Sequence, residues 1–207
     1  MRYADNATDY ILTLCQLLCP CDEGDEPFEW MAKDFGGSGT TCGFLPSAVM
    51  YALGVRDRIV NRSEPEAGLV YRPGANISAI FNQGKHPSIL FQRGMQVPPG
   101  SIFFVSNGPP TTEHVGILWK IEQGVWHTFD AGQQNAQGKE CMRARRRTFL
   151  AGALDGRKLV SFIPPDNLKL TAEPLDYTKL FSEAWWPKPA RDPYTGKSVL
   201  HPGIRPR

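Results

Sequence analysis

The sequence predicts an α+β domain in which N-terminal helices pack on an antiparallel sheet of four to six strands. Three observations lead there. Tyr10, Leu14, Leu17 and Leu18, then Leu45, Val49 and Leu53, recur at helical spacing in the first quarter of the chain. From Pro98 onward, short runs rich in aliphatic and aromatic residues are separated by turn signals such as Glu122-Gln123-Gly124 and Asp155-Gly156. The two kinds of segment are segregated rather than alternating, which favours an antiparallel sheet over βαβ units.

Taken in order, Asp5 to Leu18 reads as a helix that Asp5 or Asn6 can cap and that Pro20 stops. Cys21 to Phe35 is acidic and irregular, with Phe28, Trp30 and Met31 as anchors, and Gly36-Gly37-Ser38-Gly39 is a flexible approach to Cys42. Cys42 to Leu53 reads as a buried helix, with Ala48 and Ala52 widening its stripe and Gly54 closing it. Pro46 fits only if the first turn spans Gly43 to Pro46, where amides have no intrahelical partner; Cys42 then stands at the helix N-terminus. Arg56 to Gly94 is mixed, with a helix expected near Ala75 to Asn82. Strands are expected at Ile102 to Val105, Val115 to Ile121, Val125 to Asp130, Met142 to Phe149 and Lys158 to Ile163. Beyond Pro164-Pro165 the chain is proline-rich, with a helix near Leu175 to Ala184 and an extended tail after Trp185-Trp186. The expected division is one domain over 1–165 and a proline-rich C-terminal extension over 166–207.

A net charge of +2 on 207 residues gives no case for a nucleic-acid partner or an anionic membrane. The basic run Arg143, Arg145, Arg146 and Arg147 reads as a solvated strand edge, or else as a contact for an acidic substrate or partner. No apolar run reaches the roughly 20 residues that a membrane helix needs. Met1 to Asp5 lacks the pattern of a signal peptide, so synthesis in the cytoplasm, and export by a dedicated machine if at all, is the expectation. Five cysteines leave at least one thiol free in any disulfide scheme. Cys15-x3-Cys19-Pro20-Cys21 lacks zinc-ribbon spacing, and no histidine follows at ligand distance; no metal or cofactor is assigned. Cys15 and Cys19 share a helix face as core thiols, and Cys21 is able to pair with Cys141 in an oxidising compartment.

The chemistry concentrates at Cys42 and His114. A thiol at a helix start, beside an imidazolium, becomes a usable nucleophile because both features favour the thiolate. His114 heads a strand whose alternation puts His114, Gly116 and Leu118 on one face, and Gly116 leaves room for a helix to bring the thiol to the ring. A catalytic imidazole needs a third group to hold its tautomer. Asp130 on the next strand falls near His114 across the Glu122-Gln123-Gly124 turn and orients imidazole more strongly than a second ring would; His127 is the alternate. Singly, a buried cysteine or a strand histidine is usually structural; their order along the chain is what points to catalysis. An oxyanion finds the Cys42 amide together with Thr40, Thr41 or Trp30. His86 and His201 read as surface.

Gly39-Thr40-Thr41-Cys42-Gly43-Phe44-Leu45, Pro99-Gly100-Ser101-Ile102-Phe103-Phe104 and His114-Val115-Gly116-Ile117 resemble the three core motifs of NlpC-type and CHAP-type cysteine peptidases. Thr128-Phe129-Asp130-Ala131-Gly132-Gln133 is similar to a variant among secreted bacterial amidase effectors, including those of type VI secretion. The chain departs from the family pattern at Thr41, Ser101 and Asp130. The resemblance implies a papain-like fold and a Cys42–His114–Asp130 triad acting on peptidoglycan stem-peptide amides. It also implies an antibacterial effector delivered to a target-cell periplasm, with an immunity protein and a secretion component as partners. Two alternatives stand beside it: a papain-like effector that deamidates, cleaves or acylates a target-cell protein, and a non-enzymatic binding module.

Overall fold

The computed structural model describes residues 6–19, 21–25, 28, 41–54, 88–107, 114–170 and 173–174. The helices expected near 75–82 and 175–184, the glycine-rich approach, Trp30, Thr40, His86, His201 and most of 166–207 lie outside the described residues.

Helix α1 spans Ala7–Leu18, and the Asn6 side chain caps it by accepting from the amides of Thr8 and Asp9. A 3-10 turn at Thr41–Gly43 runs into helix α2, Phe44–Ala52. Pro46 falls in the first turn of α2, where its missing amide costs nothing, and Cys42 lies in the turn that starts the helix. Seven strands follow among the described residues: β1 Ile89–Leu90, β2 Ile102–Ser106, β3 His114–Glu122, β4 Val125–Gln134, β5 Glu140–Leu150, β6 Ala153–Leu154 and β7 Arg157–Ile163. The tight turns read from sequence are present. Gln123-Gly124 and Asp155-Gly156 both take positive φ at two successive positions, the hairpin geometry that matches the twist of the flanking strands.

The architecture itself corrects the sequence reading. The strand order is β1-β7-β2-β3-β4-β5-β6, and β6 pairs again with β7. Six antiparallel strands, β2 to β7, therefore close into a β-barrel carrying two short helices among the described residues, not the expected α+β papain-like domain with N-terminal helices packed on an antiparallel sheet. The closing element is two residues long, too short to show any period. Ala153 and Leu154 face Lys158 and Arg157 at the start of β7, and β1 occupies the same edge further along, opposite Ser161 and Phe162.

Closure divides the apolar residues into two cores. Inside the barrel, Val97, Phe103, Val105, Leu118, Trp126, Leu154, Leu159 and Phe162 pack together, with Phe103 edge-on to Trp126 at 6.0 Å between centroids. Outside it, Ile102, Phe104, Val115, Ile117, Phe129, Ala131 and Met142 cover one flank. There they meet Tyr10, Ile11, Leu14 and Leu18 of α1 and Leu45, Ala48, Val49 and Ala52 of α2. The alternation along β2 and β3 sorts neighbours to opposite cores, as the pleat requires. No helix among the described residues is long and apolar enough to cross a membrane. All five cysteines are reduced and buried. Burial pushes Cys15 and Cys19 well up, and pushes Cys21 up to about 12. Among the described residues no group of histidines, cysteines and carboxylates is placed to hold a metal.

Phe103 fills the barrel interior at 1% exposure. Phe103→Ala is expected to lower the urea unfolding free energy by about 3–5 kcal/mol, through lost burial and the cavity left behind. A loss below about 1 kcal/mol would show that the interior repacks and that the barrel core is not specific.

Candidate active site

His114 is the first residue of β3 and faces Val105 of β2 in the ladder. Its ring projects on the inner face, as do Thr128 and Asp130 of β4. The two strands are in register at Ile117 and Phe129, so His114 reaches Asp130 along a diagonal. His114 Nε2 lies 2.5 Å from Asp130 Oδ1. An imidazole nitrogen this close to a carboxylate oxygen carries the proton and donates, which leaves Nδ1 as the free lone pair of the neutral ring. The Cys42 side chain hydrogen-bonds to the same ring.

Asp130 is fully buried and draws three side-chain donors. Oδ1 accepts from His114 and from Arg147 Nη2 at 2.7 Å, and Oδ2 accepts from Thr128 Oγ1 at 2.5 Å. Burial alone would raise its pKa; the His114 hydrogen bond and the Arg147 charge reverse that and hold it at about 2. Burial likewise opposes the charged form of His114, and the hydrogen bonds to Asp130 and Cys42 outweigh it, so that its pKa is raised.

Arg147 was not singled out by sequence beyond its membership of the basic run. It sits at 4% exposure opposite Trp126, and its guanidinium runs along the inner face of the barrel. Nε donates to Thr128 Oγ1 at 3.2 Å, Nη2 to Asp130, and Nη1 to Asp155 Oδ2 at 2.9 Å. Nη2 also lies 3.2 Å from His114 Nε2; both groups carry protons, and both point into Asp130. The solvated-edge reading thus holds for Arg143 and Arg146, which are exposed, and fails for Arg147, which braces the carboxylate.

Gly116 has a different task from the one its sequence suggested. A Cβ there would stand 2.7 Å from Asp130 Oδ1 and 2.6 Å from the Phe103 ring. Its missing side chain makes space for the carboxylate and for a barrel-core ring, not for a helix. His127 is turned to the other face of β4, edge-on to Trp119 and 3.4 Å from Glu122 Oε2. The structure therefore brings Cys42, His114 and Asp130 together and leaves His127 apart.

Cys42 and His114 open on a cavity of about 400 Å³, whose wall also includes Gln133, Arg145, Asp155 and Arg157. The β4–β5 ladder shifts register between Asp130 and Gln133, with Gly132 at φ 66°, and this kink turns Gln133 into the cavity wall. Gln133 Nε2 donates to the Ala131 carbonyl and its Oε1 accepts from Arg145 Nη1. Arg145 and Arg147 were named in the sequence only as part of the basic run, with a contact for an acidic substrate or partner as the alternative reading; what singles them out is their alternate positions on one strand, opposite Thr128 and Trp126.

No protein-family model matches the chain, and no curated protein matches it. One solved structure, described as the crystal structure of Ly7917 with the hydrolyzing product of MDP, is similar over 77% of this chain. The identity is 13% and the TM-score 0.40. The matched region is 63% of that chain, so this chain spans less than two thirds of its length.

The depressed Asp130 pKa makes a stability claim. Its folded value, about 2, lies below the ordinary 3.8. The stabilisation is therefore complete above pH 4 and disappears as pH falls through 2. At about 1.4 kcal/mol per pH unit the gap is worth about 2 kcal/mol. His114 acts with the opposite sign: its contribution is present below pH 6.5 and is lost as pH rises through its higher folded value. Urea titrations from pH 2 to 5 should show wild type losing about 2 kcal/mol more than Asp130→Asn. Parallel curves would mean that the carboxylate is not held by these donors.

Proposed function

We propose that this chain is a cysteine-dependent amide hydrolase that cleaves stem-peptide bonds of peptidoglycan. The observation that carries the chemistry is His114, fixed by Asp130 through Nε2, hydrogen-bonded to the Cys42 side chain and open to a cavity. The substrate class is supported by the motifs around Cys42, Pro99-Gly100 and His114, which resemble those of cysteine peptidases that act on peptidoglycan.

In this reading Nδ1 of His114 takes the Cys42 proton and the sulfur attacks the amide carbonyl carbon. The carbonyl π electrons move to oxygen, and the Cys42 amide is the donor assigned to it in this reading. The tetrahedral species collapses, the C–N bond breaks, and the amine leaves with the proton from His114. Water then gives a proton to His114 and adds to the thioester; the C–S bond breaks, the carboxylic acid departs, and the thiol is restored. Asp130 carries no proton in any step. It fixes the Nε2–H tautomer and stabilises the imidazolium that forms twice in each cycle. Arg147 and Thr128 act one step further back as positioning residues that keep Asp130 ionised and pointed at the ring.

Purified protein incubated with peptidoglycan sacculi should release fragments bearing new free amines, and Cys42→Ala should lower that rate by at least about 10³-fold. Identical fragment profiles for wild type and Cys42→Ala, both folded, would remove the hydrolase reading.

A further inference from the structure

The cavity carries more positive charge than the chemistry of an amide requires. Three arginines line its wall, Arg145 and Arg147 of β5 and Arg157 of β7, against a single lining carboxylate residue, Asp155. Asp155 is already engaged, because Oδ2 accepts from Arg147 and Oδ1 from the Thr148 amide. Asp130, behind the wall, is divided between His114, Thr128 and Arg147. Arg147 is thereby accounted for. Arg145 has only the neutral Gln133 oxygen, and Arg157 has no carboxylate partner among the described residues. Burial and the charges of Arg147 and Arg143 work against the cation on Arg145 and lower its pKa, outweighing the pull of Asp130 and Asp155. Arg145 and Arg157 are thus two half-buried arginines lining the same cavity as Cys42, with no carboxylate in ion-pair contact among the described residues, and a guanidinium so placed favours an anion beside it.

We propose that Arg145 and Arg157 form a carboxylate-binding subsite, and that the substrate is an amide flanked by a free carboxylate which these two side chains grip while Cys42 attacks. This rests on the reading of Cys42 as the nucleophile and narrows its substrate. A guanidinium fork matches a carboxylate in shape as well as charge, so the subsite also fixes which amide is presented to the sulfur. Gln133 serves as the neutral prop that holds the Arg145 head toward the cavity.

Alkylation separates this subsite from a general electrostatic effect on the thiol. Iodoacetate and iodoacetamide both transfer a two-carbon unit to sulfur and release iodide, and only the first carries a carboxylate. The rate of Cys42 modification, followed by peptide mass spectrometry at pH 7, is measured with each reagent. The expected result is an iodoacetate-to-iodoacetamide rate ratio about tenfold higher in wild type than in the R145Q/R157Q double variant, a gap that shrinks in high salt. R145K/R157K, which keeps both charges, should recover a large part of the ratio. Equal ratios in wild type and R145Q/R157Q would overturn the subsite, as would a variant that slows both reagents equally, since the arginines would then act only on the sulfur. Failure of either reagent to modify Cys42 in the wild type would overturn the nucleophile and the subsite with it. Inert sacculi combined with the expected ratio would leave the subsite standing and remove peptidoglycan as its substrate.

Discussion

Everything at this site depends on one ionised carboxylate kept inside a β-barrel. A buried Asp130 without donors would take up a proton and lose its hold on His114. Three donors prevent that, and each comes from a different part of the sheet. His114 enters from β3, Thr128 from Asp130's own strand two residues earlier, and Arg147 from β5 across the ladder. The barrel is what makes this possible. A closed sheet turns one face of β3, β4 and β5 inward, so an ordinary strand alternation gathers a histidine, an aspartate and an arginine into the same buried space. Gly116 completes the arrangement by leaving open the volume that the carboxylate occupies.

The helices serve the same centre from outside. α1 and α2 cover one flank of the barrel through Leu14, Leu18, Leu45 and Val49, and the turn that begins α2 delivers Cys42 to the cavity. Cys15 and Cys19 lie close enough to Asp130 for its charge to raise their pKa values, which places the end of α1 against the back of the carboxylate. Burial keeps those two thiols protonated.

Much of this was legible in the sequence, for local reasons. The helix at Ala7–Leu18, its Asn6 cap, the position of Pro46 and five of the seven described strands follow from periodicity and turn chemistry that a few neighbouring residues carry. The nearness of His114 to Asp130 was legible too, because one hairpin fixes the relation of β3 to β4. Barrel closure was not, since β6 offers only Ala153 and Leu154, and pairing at that length leaves no pattern. Nor was the burial of Arg147. In the run Arg143 to Arg147 every arginine is chemically alike, and what separates Arg147 is Asp130 and Asp155, which reach it through the fold. Gly116 was read as clearance for a helix, and that it instead clears Asp130 and the Phe103 ring could be seen only in three dimensions.

The most direct measurement of the central claim is the ¹⁵N NMR spectrum of the His114 ring across a pH titration. The account predicts that the neutral ring is the Nε2–H tautomer, with that proton hydrogen-bonded and shifted downfield, and that the ring titrates above the ordinary 6.5. A neutral ring protonated at Nδ1, or titration at or below 6.5, would contradict it, because Asp130 would then not be holding the imidazole.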